Sequence, residues 1–418
     1  MLKIKLKIIK GNIYLIIPMV CVGFWAFLFL LSTTYDPRVS DFIHFDFKIY
    51  YGCGKQILRD PLQLYTYDYG YDIGYVYLPS FACLFAVSIS LLPYTLGYFT
   101  LYGINIILGI LFIREFDKIL ILKDVLEKIH RFIFLIIISN GFVLLNIFRQ
   151  NQVKFAVGLI LLFVLRREIQ YRNDNREKDL KFNLVNYGLF VFAIAMAPYF
   201  IFLLLIYIFQ EIRFNEIFRK DNIKIYGIVI LMFVVQNFLF IVYPKLIFDF
   251  LEGFYKHPLF LFYLIEWIHP HGIYFILLSY VSTILTSIIT LIIIIKKLPI
   301  EEKFAFFAFF ALFVSLFANR TLVILLPLTL LLFVSHLKRE NTCIDFIKNN
   351  LILLFGLFSI GGIYFNVNPE TIYSIILNIL PIVDGSILMI IIYLRWLILL
   401  SIMAISLILL HLKSNKIT

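Results

Sequence analysis

The chain has 418 residues, of which 62% are hydrophobic, 18% aromatic and only 15% charged. Soluble globular chains are about 45–50% apolar and about 25% charged; with a mean hydropathy of +0.95, this one lies far outside that class. Its 37 Lys+Arg against 26 Asp+Glu give a net charge of +11. So few charges cannot coat a soluble, nucleic-acid-binding surface, and the excess becomes a question of where the charges sit. Cys21 and Cys83 lie in apolar runs, Cys53 and Cys343 in apparent loops, and no metal-type Cys/His spacing exists.

A bilayer-crossing helix needs about 20 apolar residues. The first such run is Asn12–Ser32, preceded by Lys3, Lys5, Lys7 and Lys10. It is too long for a signal-peptide core and lacks a small-x-small cleavage site. It therefore predicts a retained first span with the N-terminus in the cytoplasm. A long loop, 33–75, follows. Within it Phe47, Tyr50, Tyr51, Gly54, Ile57 and Leu58 recur at helical spacing, with Lys48, Lys55, Gln56 and Arg59 opposite. The pattern predicts a helix in the membrane interface with Asp46 at its N-cap. Asp36, Asp41 and Asp60 read as solvated or turn residues.

Further apolar runs are Val76–Leu92, Thr95–Ile113, Phe132–Phe148, Val153–Leu165, Asn183–Phe209 (split near Pro198) and Ile225–Tyr243. After a second long loop, 244–272, come Ile273–Ile295, Phe304–Ala318, Thr321–Ser335, Leu351–Phe365 and Ile387–Leu410. That second loop repeats the amphipathic device. Leu246, Ile247, Phe250, Leu251 and Phe254 form a stripe, and Lys245, Asp249, Glu252 and Lys256 face away.

Segments 1–10, 166–181, 210–224, 296–303, 336–350 and 412–418 hold 22 of the 37 basic residues and 11 acidic ones. Segments 33–75, 149–154, 244–272, 319–320 and 366–386 hold 9 basic and 11 acidic residues. Cytoplasmic loops carry the Lys/Arg excess, so the first set is expected inside and the second outside. Segment 114–131 is balanced and names no side. If both 76–92 and 95–113 crossed, every later loop would be inverted, so one run within 76–148 is expected to be a half-span or to lie flat. The expected architecture is all-α: one integral membrane domain of about twelve spans, in the cell membrane, with 166–181 as a solvated linker.

The stretch Asp46-Phe47-Lys48-Ile49-Tyr50-Tyr51, then Leu58-Arg59-Asp60-Pro61, Leu64-Tyr65 and Tyr77-Leu78-Pro79 opening an apolar run, resembles the first outer loop of glycosyltransferase family 87. Those are polyprenyl-phosphate-mannose-dependent mannosyltransferases with the GT-C fold. Asn151-Gln152-Val153 resembles the family's Gly-Gln-Val, Ala197-Pro198-Tyr199 its Lys-Pro-Tyr, and Ala318-Asn319-Arg320-Thr321-Leu322 a late outer turn. The likeness covers roughly residues 40–335. Three departures stand out: Leu78 for a Pro, Asn151 for a Gly, and Ala197 for a Lys that would suit an anion.

The resemblance implies transfer of a hexose, such as mannose, from a polyprenyl phosphate to a lipid-linked or cell-surface glycan at the outer face, with inversion. That chemistry needs a base, a cation for the leaving phosphate, and a greasy groove. Asp46 is the candidate base, because a carboxylate at the end of an interfacial helix is open to a hydroxyl from the aqueous side. The plainer alternative is that it only caps the helix. Arg320, Arg149 and Lys154 are the candidate phosphate ligands, with snorkelling to the interface as their alternative. Gln152, Tyr50, Tyr51, Tyr77, His269 and His271 complete the expected substrate contacts. His257, Glu266 and Trp267 share the second loop, and Arg395 lies within the last span with no role assigned. No metal or other cofactor and no nucleic acid is expected, and membrane lipid is the surrounding partner. The rival class is a glycolipid transporter or flippase, which would need midplane charges and often inverted repeats. A third is a non-catalytic subunit of a membrane assembly.

Overall fold

The computed structural model describes residues 2–35, 45–69, 75, 77–140, 144, 147–148, 151–175, 180–210, 219–256, 273–314, 322–334, 336–337, 349–364, 398–399 and 401–410. Among them every regular element is helical. In chain order these are α1 (Leu2–Tyr35), α2 (Phe45–Arg59), α3 (Pro79–Ala86), α4 (Tyr94–Leu122) and α5 (Lys128–Ser139). Then come α6 (Lys154–Asn173), α7 (Leu180–Met196), α8 (Ile201–Ile208), α9 (Lys220–Gln236), α10 (Leu239–Val242) and α11 (Lys245–Lys256). The rest are α12 (Ile273–Ile295), α13 (Ile300–Val314), α14 (Leu322–Val334), α15 (Leu351–Tyr364) and α16 (Ser401–Leu410). Two of these, α1 within Ile13–Leu30 and α4, are long and apolar enough to cross a membrane.

The bundle forms by pairwise packing of neighbours. α4 runs along α6, α13 along α14, α1 against α4 and α5, and α12 against α13 and α8. Small residues let α4 and α6 approach. A methyl on Gly158 would meet the Phe112 ring at 2.8 Å, and one on Gly109 would meet the Phe155 ring at 3.2 Å, with Val22 of α1 at 2.8 Å. The perimeter is apolar. Phe24 and Phe27 on α1, Leu231 and Val235 on α9, and Ile288 and Ile292 on α12 are all exposed.

Two sequence expectations change here. The run 76–92 is not one helix. α3 is opened by Pro79 at its first position; at eight residues it is about 12 Å long, too short to cross about 30 Å of hydrocarbon. A 3-10 turn at Ile89–Leu91 and Pro93 then separate it from α4. Within 114–131 the residues up to Leu122 are the last turns of α4 and those from Lys128 the first of α5, and 166–173 are the last turns of α6. α4 stops at Asp124 (φ 62), where Asp124 N–H bonds Ile121 O at 3.0 Å and Val125 N–H bonds Leu120 O at 2.9 Å. That is a Schellman terminus, closed by the buried Leu120 and Val125 side chains.

One end of the bundle gathers charge. Glu301, buried at the start of α13, accepts Arg172 Nη1 at 2.9 Å and Nη2 at 2.6 Å, and Lys123 Nζ at 3.0 Å. Arg166 Nε donates to Glu115 at 2.7 Å, and Asn173 Nδ2 to Leu122 O at 3.1 Å. Lys303 Nζ donates to the Ile294 carbonyl at 3.1 Å, with Gln210 O at 3.5 Å. The ambiguous 114–131 segment therefore lies at the same end as 166–173, Gln210 and 301–303. The opposite end carries α2, α3 and α11.

Candidate active site

α2 is amphipathic as expected, yet its apolar face is covered by protein. Phe47 and Tyr50 are fully buried, and α2 lies on α3. Gly54 permits this: a methyl there would meet Ala86 N at 2.8 Å and Phe85 C at 2.9 Å. Gln56, expected on the polar face, is buried and donates to the Asp60 carbonyl at 3.1 Å, while Leu58 is exposed. Cys53 sits on the helix instead of in a loop, and burial pushes its thiol well up, out of nucleophilic range. Asp60 caps a 3-10 turn at Pro61–Gln63, accepting Leu62 N–H at 3.1 Å.

Asp46 is the second residue of α2, inside the first turn instead of at the N-cap. The helix dipole still favours an anion there. Its carboxylate is buried, not open to the aqueous side as its place on an interfacial helix led one to expect, and accepts a hydrogen bond from Gln152 Nε2, 106 residues away in sequence. Gln152 is placed by the turn that leads into α6. Asn151 N–H bonds Phe148 O at 3.2 Å and Gln152 N–H bonds Ile147 O at 3.0 Å, with Asn151 at φ 51. This is a second Schellman terminus, and its left-handed residue is where the resembled family has Gly. Asn is among the few side chains that tolerate that conformation, so the departure preserves the turn.

Two residues on, Lys154 opens α6. It is buried, with Nζ 5.7 Å from the centre of the Tyr77 ring. Tyr77 and Tyr50 share a hydroxyl–hydroxyl hydrogen bond of 3.1 Å. Tyr65 donates to the Tyr77 carbonyl at 2.8 Å, and Tyr75 to the Leu78 carbonyl at 2.9 Å. Burial pushes the hydroxyls of Tyr65 and Tyr75 well above the usual phenol range. They stay neutral donors at ordinary pH and offer no base. Tyr51 turns away, donating to the Leu92 carbonyl at 2.8 Å and stacking on Tyr94; it braces α2 against the start of α4.

The segment before the third matched motif meets the first by backbone. Leu78 N–H donates to Ala195 O at 3.3 Å, at the end of α7, where Ala197 and Pro198 break the helix into the turn before α8. Ser80 Oγ donates to Asn237 Oδ1 at 2.9 Å, and the Tyr65 ring lies 5.7 Å from Phe250 of α11. The described part of the first long loop and α11 thus meet at one corner. Among the described residues of this end, Lys154 is the cation whose side chain is buried. Lys48, Lys55, Arg59 and Lys245 are exposed.

Arg149, Arg320, His269 and His271 lie outside the described residues, as do Glu266, Trp267 and Arg395. Among the described residues no three His, Cys, Asp or Glu side chains gather as a metal set. Sequence reasoning passed over Asn105 and Asn186, lone amides in apolar helices, although a polar residue at such a position is itself a signal. Asn186 Nδ2 donates at 3.1 Å to the buried Glu168 and at 2.7 Å to Tyr207, and Tyr207 also bonds Glu168. No family model matches the chain, and no curated protein matches it in sequence.

Proposed function

We propose that this chain is a membrane glycosyltransferase of the GT-C type, working at the outer face of the cell membrane. More particularly, it moves a hexose, on the family 87 resemblance mannose, from a polyprenyl phosphate to a lipid-linked or surface glycan. The observation that carries the reading is the meeting of Asp46, Gln152, Lys154 and Tyr77 at one end of the bundle. Asp46 and Tyr77 belong to the first-loop resemblance and Gln152 to the Asn151-Gln152-Val153 one, with Lys154 following directly on it.

Asp46 serves as base. The acceptor oxygen attacks the anomeric carbon as the carbon–oxygen bond to phosphate breaks, and the phosphate leaves with the bonding pair. The attack inverts the centre through an oxocarbenium-like state, so proton loss from the hydroxyl comes late and a carboxylate suffices. Lys154 steadies the departing phosphate, standing in for the Lys that Ala197 replaces. Tyr77, half-buried, presents aromatic and hydroxyl surface to a sugar, and the buried Tyr50 holds its hydroxyl. Membranes containing the protein are to be incubated with polyprenyl-phosphate mannose and an acceptor glycolipid. Transfer that depends on Asp46 is the expected result. No transfer from any lipid-phosphate hexose overturns the reading.

The phosphate role of Lys154 has its own test. Lys154→Met keeps most of the buried stem and removes the charge. A hydrogen bond to a charged group contributes about 1.5–3 kcal/mol, so kcat/KM for the lipid donor is expected to fall about 10–100-fold. A free sugar phosphate as competitive inhibitor should lose affinity in parallel; unchanged inhibition removes Lys154 from the phosphate site.

The same reading sets the topology. The charged end, with Glu301, Arg172 and Lys123, is cytoplasmic and α2 is extracytoplasmic. α3 is the half-span, and α7 and α8 form a hairpin that returns inside. About twelve passes, counting both arms of the α7–α8 hairpin, then satisfy the Lys/Arg distribution, and the apolar perimeter faces lipid. A cysteine placed at Lys48 should react with an impermeant maleimide on intact cells, and one at Asp124 only after lysis. The reverse pattern overturns the orientation.

The buried Glu168 beside Asn186 and Tyr207 favours a second reading, a lipid transporter with an ionisable group inside the bundle. Under it Glu168→Gln, and not Asp46→Asn, abolishes activity.

A further inference from the structure

Asn105 lies where the pattern of α4 calls for a hydrocarbon, between Ile104 and Ile106, and it is fully buried. Its Nδ2 donates to Asn151 Oδ1 at 2.8 Å. Asn151 Nδ2 in turn donates to the Tyr98 carbonyl at 2.9 Å, two turns earlier on α4. The left-handed residue is thus pinned to α4 at two points. The next residue is Gln152, whose amide reaches Asp46. The Oδ1 of Asn105 accepts no hydrogen bond from the described residues. Buried polar atoms are rarely left so, and a leucine would fit an apolar helix without that cost. What the amide contributes lies at its other end, in the bond to Asn151.

We infer that Asn105 is a positioning residue for the transfer reaction. It fixes the turn at Asn151 and so aims the Gln152 amide at the Asp46 carboxylate, holding that carboxylate where the acceptor hydroxyl arrives. The inference rests on the proposed function for the word reaction, but not for the geometry. Asn105 touches neither the reacting atoms nor Asp46; it acts through Asn151 and Gln152. A bare glycine at position 151 would keep the left-handed backbone but lose both side-chain bonds to α4.

Two readouts separate this inference from the functional reading. The first needs no substrate. Asp46 in the purified full chain is labelled with a water-soluble carbodiimide and quantified by mass spectrometry, with the exposed Asp68 as internal control. In Asn105→Ala and Asn151→Gly, Asp46 should label several-fold faster while Asp68 is unchanged. The second is kinetic. Both variants should lose kcat, by about 10–100-fold for a small misplacement, with KM for the lipid donor held and the acid limb of the kcat–pH profile displaced. The double variant should be no worse than either single one, because both break the same link. Unchanged Asp46 labelling in folded Asn105→Ala overturns the inference, as does a loss of thermal stability with an unmoved pH profile. If Asn105→Ala does not fold, Asn151→Gly decides alone. If the wild type transfers no sugar, the labelling result still stands or falls by itself.

Discussion

Under the proposed function, Asp46→Asn is expected to lower the rate of hexose transfer by about 10²–10⁴-fold, the usual contribution of a positioned base, and to leave the protein folded. The amide is isosteric with the carboxylate, and its Oδ1 can still accept from Gln152 Nε2, the bond that Asp46 accepts now. The start of α2 keeps its polar side chain in the first turn. What is lost is the capacity to take a proton, together with the negative charge. The fall should therefore appear in kcat, with KM for the lipid-phosphate sugar little changed. Transfer assays on purified protein, alongside a thermal unfolding scan in the same detergent, provide the check. Asp46→Ala is the useful contrast, because it also strips Gln152 of that acceptor and should cost stability as well as rate. If Asp46→Asn turns over at the wild-type rate, Asp46 only shapes the start of α2.

The largest expected effect on stability lies at the other end. Glu301→Leu removes the carboxylate that Arg172 and Lys123 share, and so unties α4, α6 and α13 from one another. Breaking a buried ion pair costs about 3–5 kcal/mol. Arg172 is 46% exposed and can turn to water, so about 2–3 kcal/mol is expected after allowing for screening. Burial alone would raise the pKa of Glu301. The hydrogen bonds from Arg172 and the charge of Lys123 outweigh it and hold the group below its ordinary value of 4.5. A depressed acid stabilises the fold above the unfolded pKa and loses that contribution as pH falls through the folded one. The gap in Tm between wild type and Glu301→Leu should thus be full above about pH 5 and shrink below pH 4.5. The neighbouring Glu302 behaves oppositely. Burial raises its pKa, so its charged form burdens the fold, and Glu302→Gln should leave Tm equal or higher at pH 7. A Glu301→Leu gap that is unchanged at pH 3.5 would show that the carboxylate charge contributes nothing.

The helical composition was legible because apolar runs are long and the chain is poor in polar loops. Ile273–Ile295 and Leu351–Tyr364 fall within a residue of the runs read from sequence. The break at Pro79 and the half-length α3 were legible only as a contradiction in charge counting. Periodicity does not distinguish a helix that crosses from one that stops. α2 was placed correctly as a helix, yet its surroundings were not. Nothing local says that Gly54 will admit the backbone of α3, so a face that reads as lipid-bound is buried in protein, and Gln56 with it. The link from Asp46 to Gln152 joins residues on separate elements and rests on a left-handed turn at Asn151. Backbone conformation of that kind is written in the sequence only as an Asn, one that reads equally well as a lost glycine. Lys154 was legible as a candidate for the cation that Ala197 lacks because it flanks the Asn151-Gln152 turn; its burial beside Tyr77 was not.

α6 links the two polar ends of the bundle seen among the described residues. Lys154 is its first residue and Arg172 lies in its last turn. At about 1.5 Å per residue the helix measures about 30 Å, the thickness of a bilayer's hydrocarbon. Under the proposed function it is a ruler. The ion pairs moor one end to the inner headgroups, and the rigid rod then fixes how high the reacting groups stand. A thicker bilayer would draw them beneath the outer headgroups, and a thinner one would lift them clear of the lipid carrier's phosphate. Matching between membrane and protein length is therefore built into the catalyst through a single element.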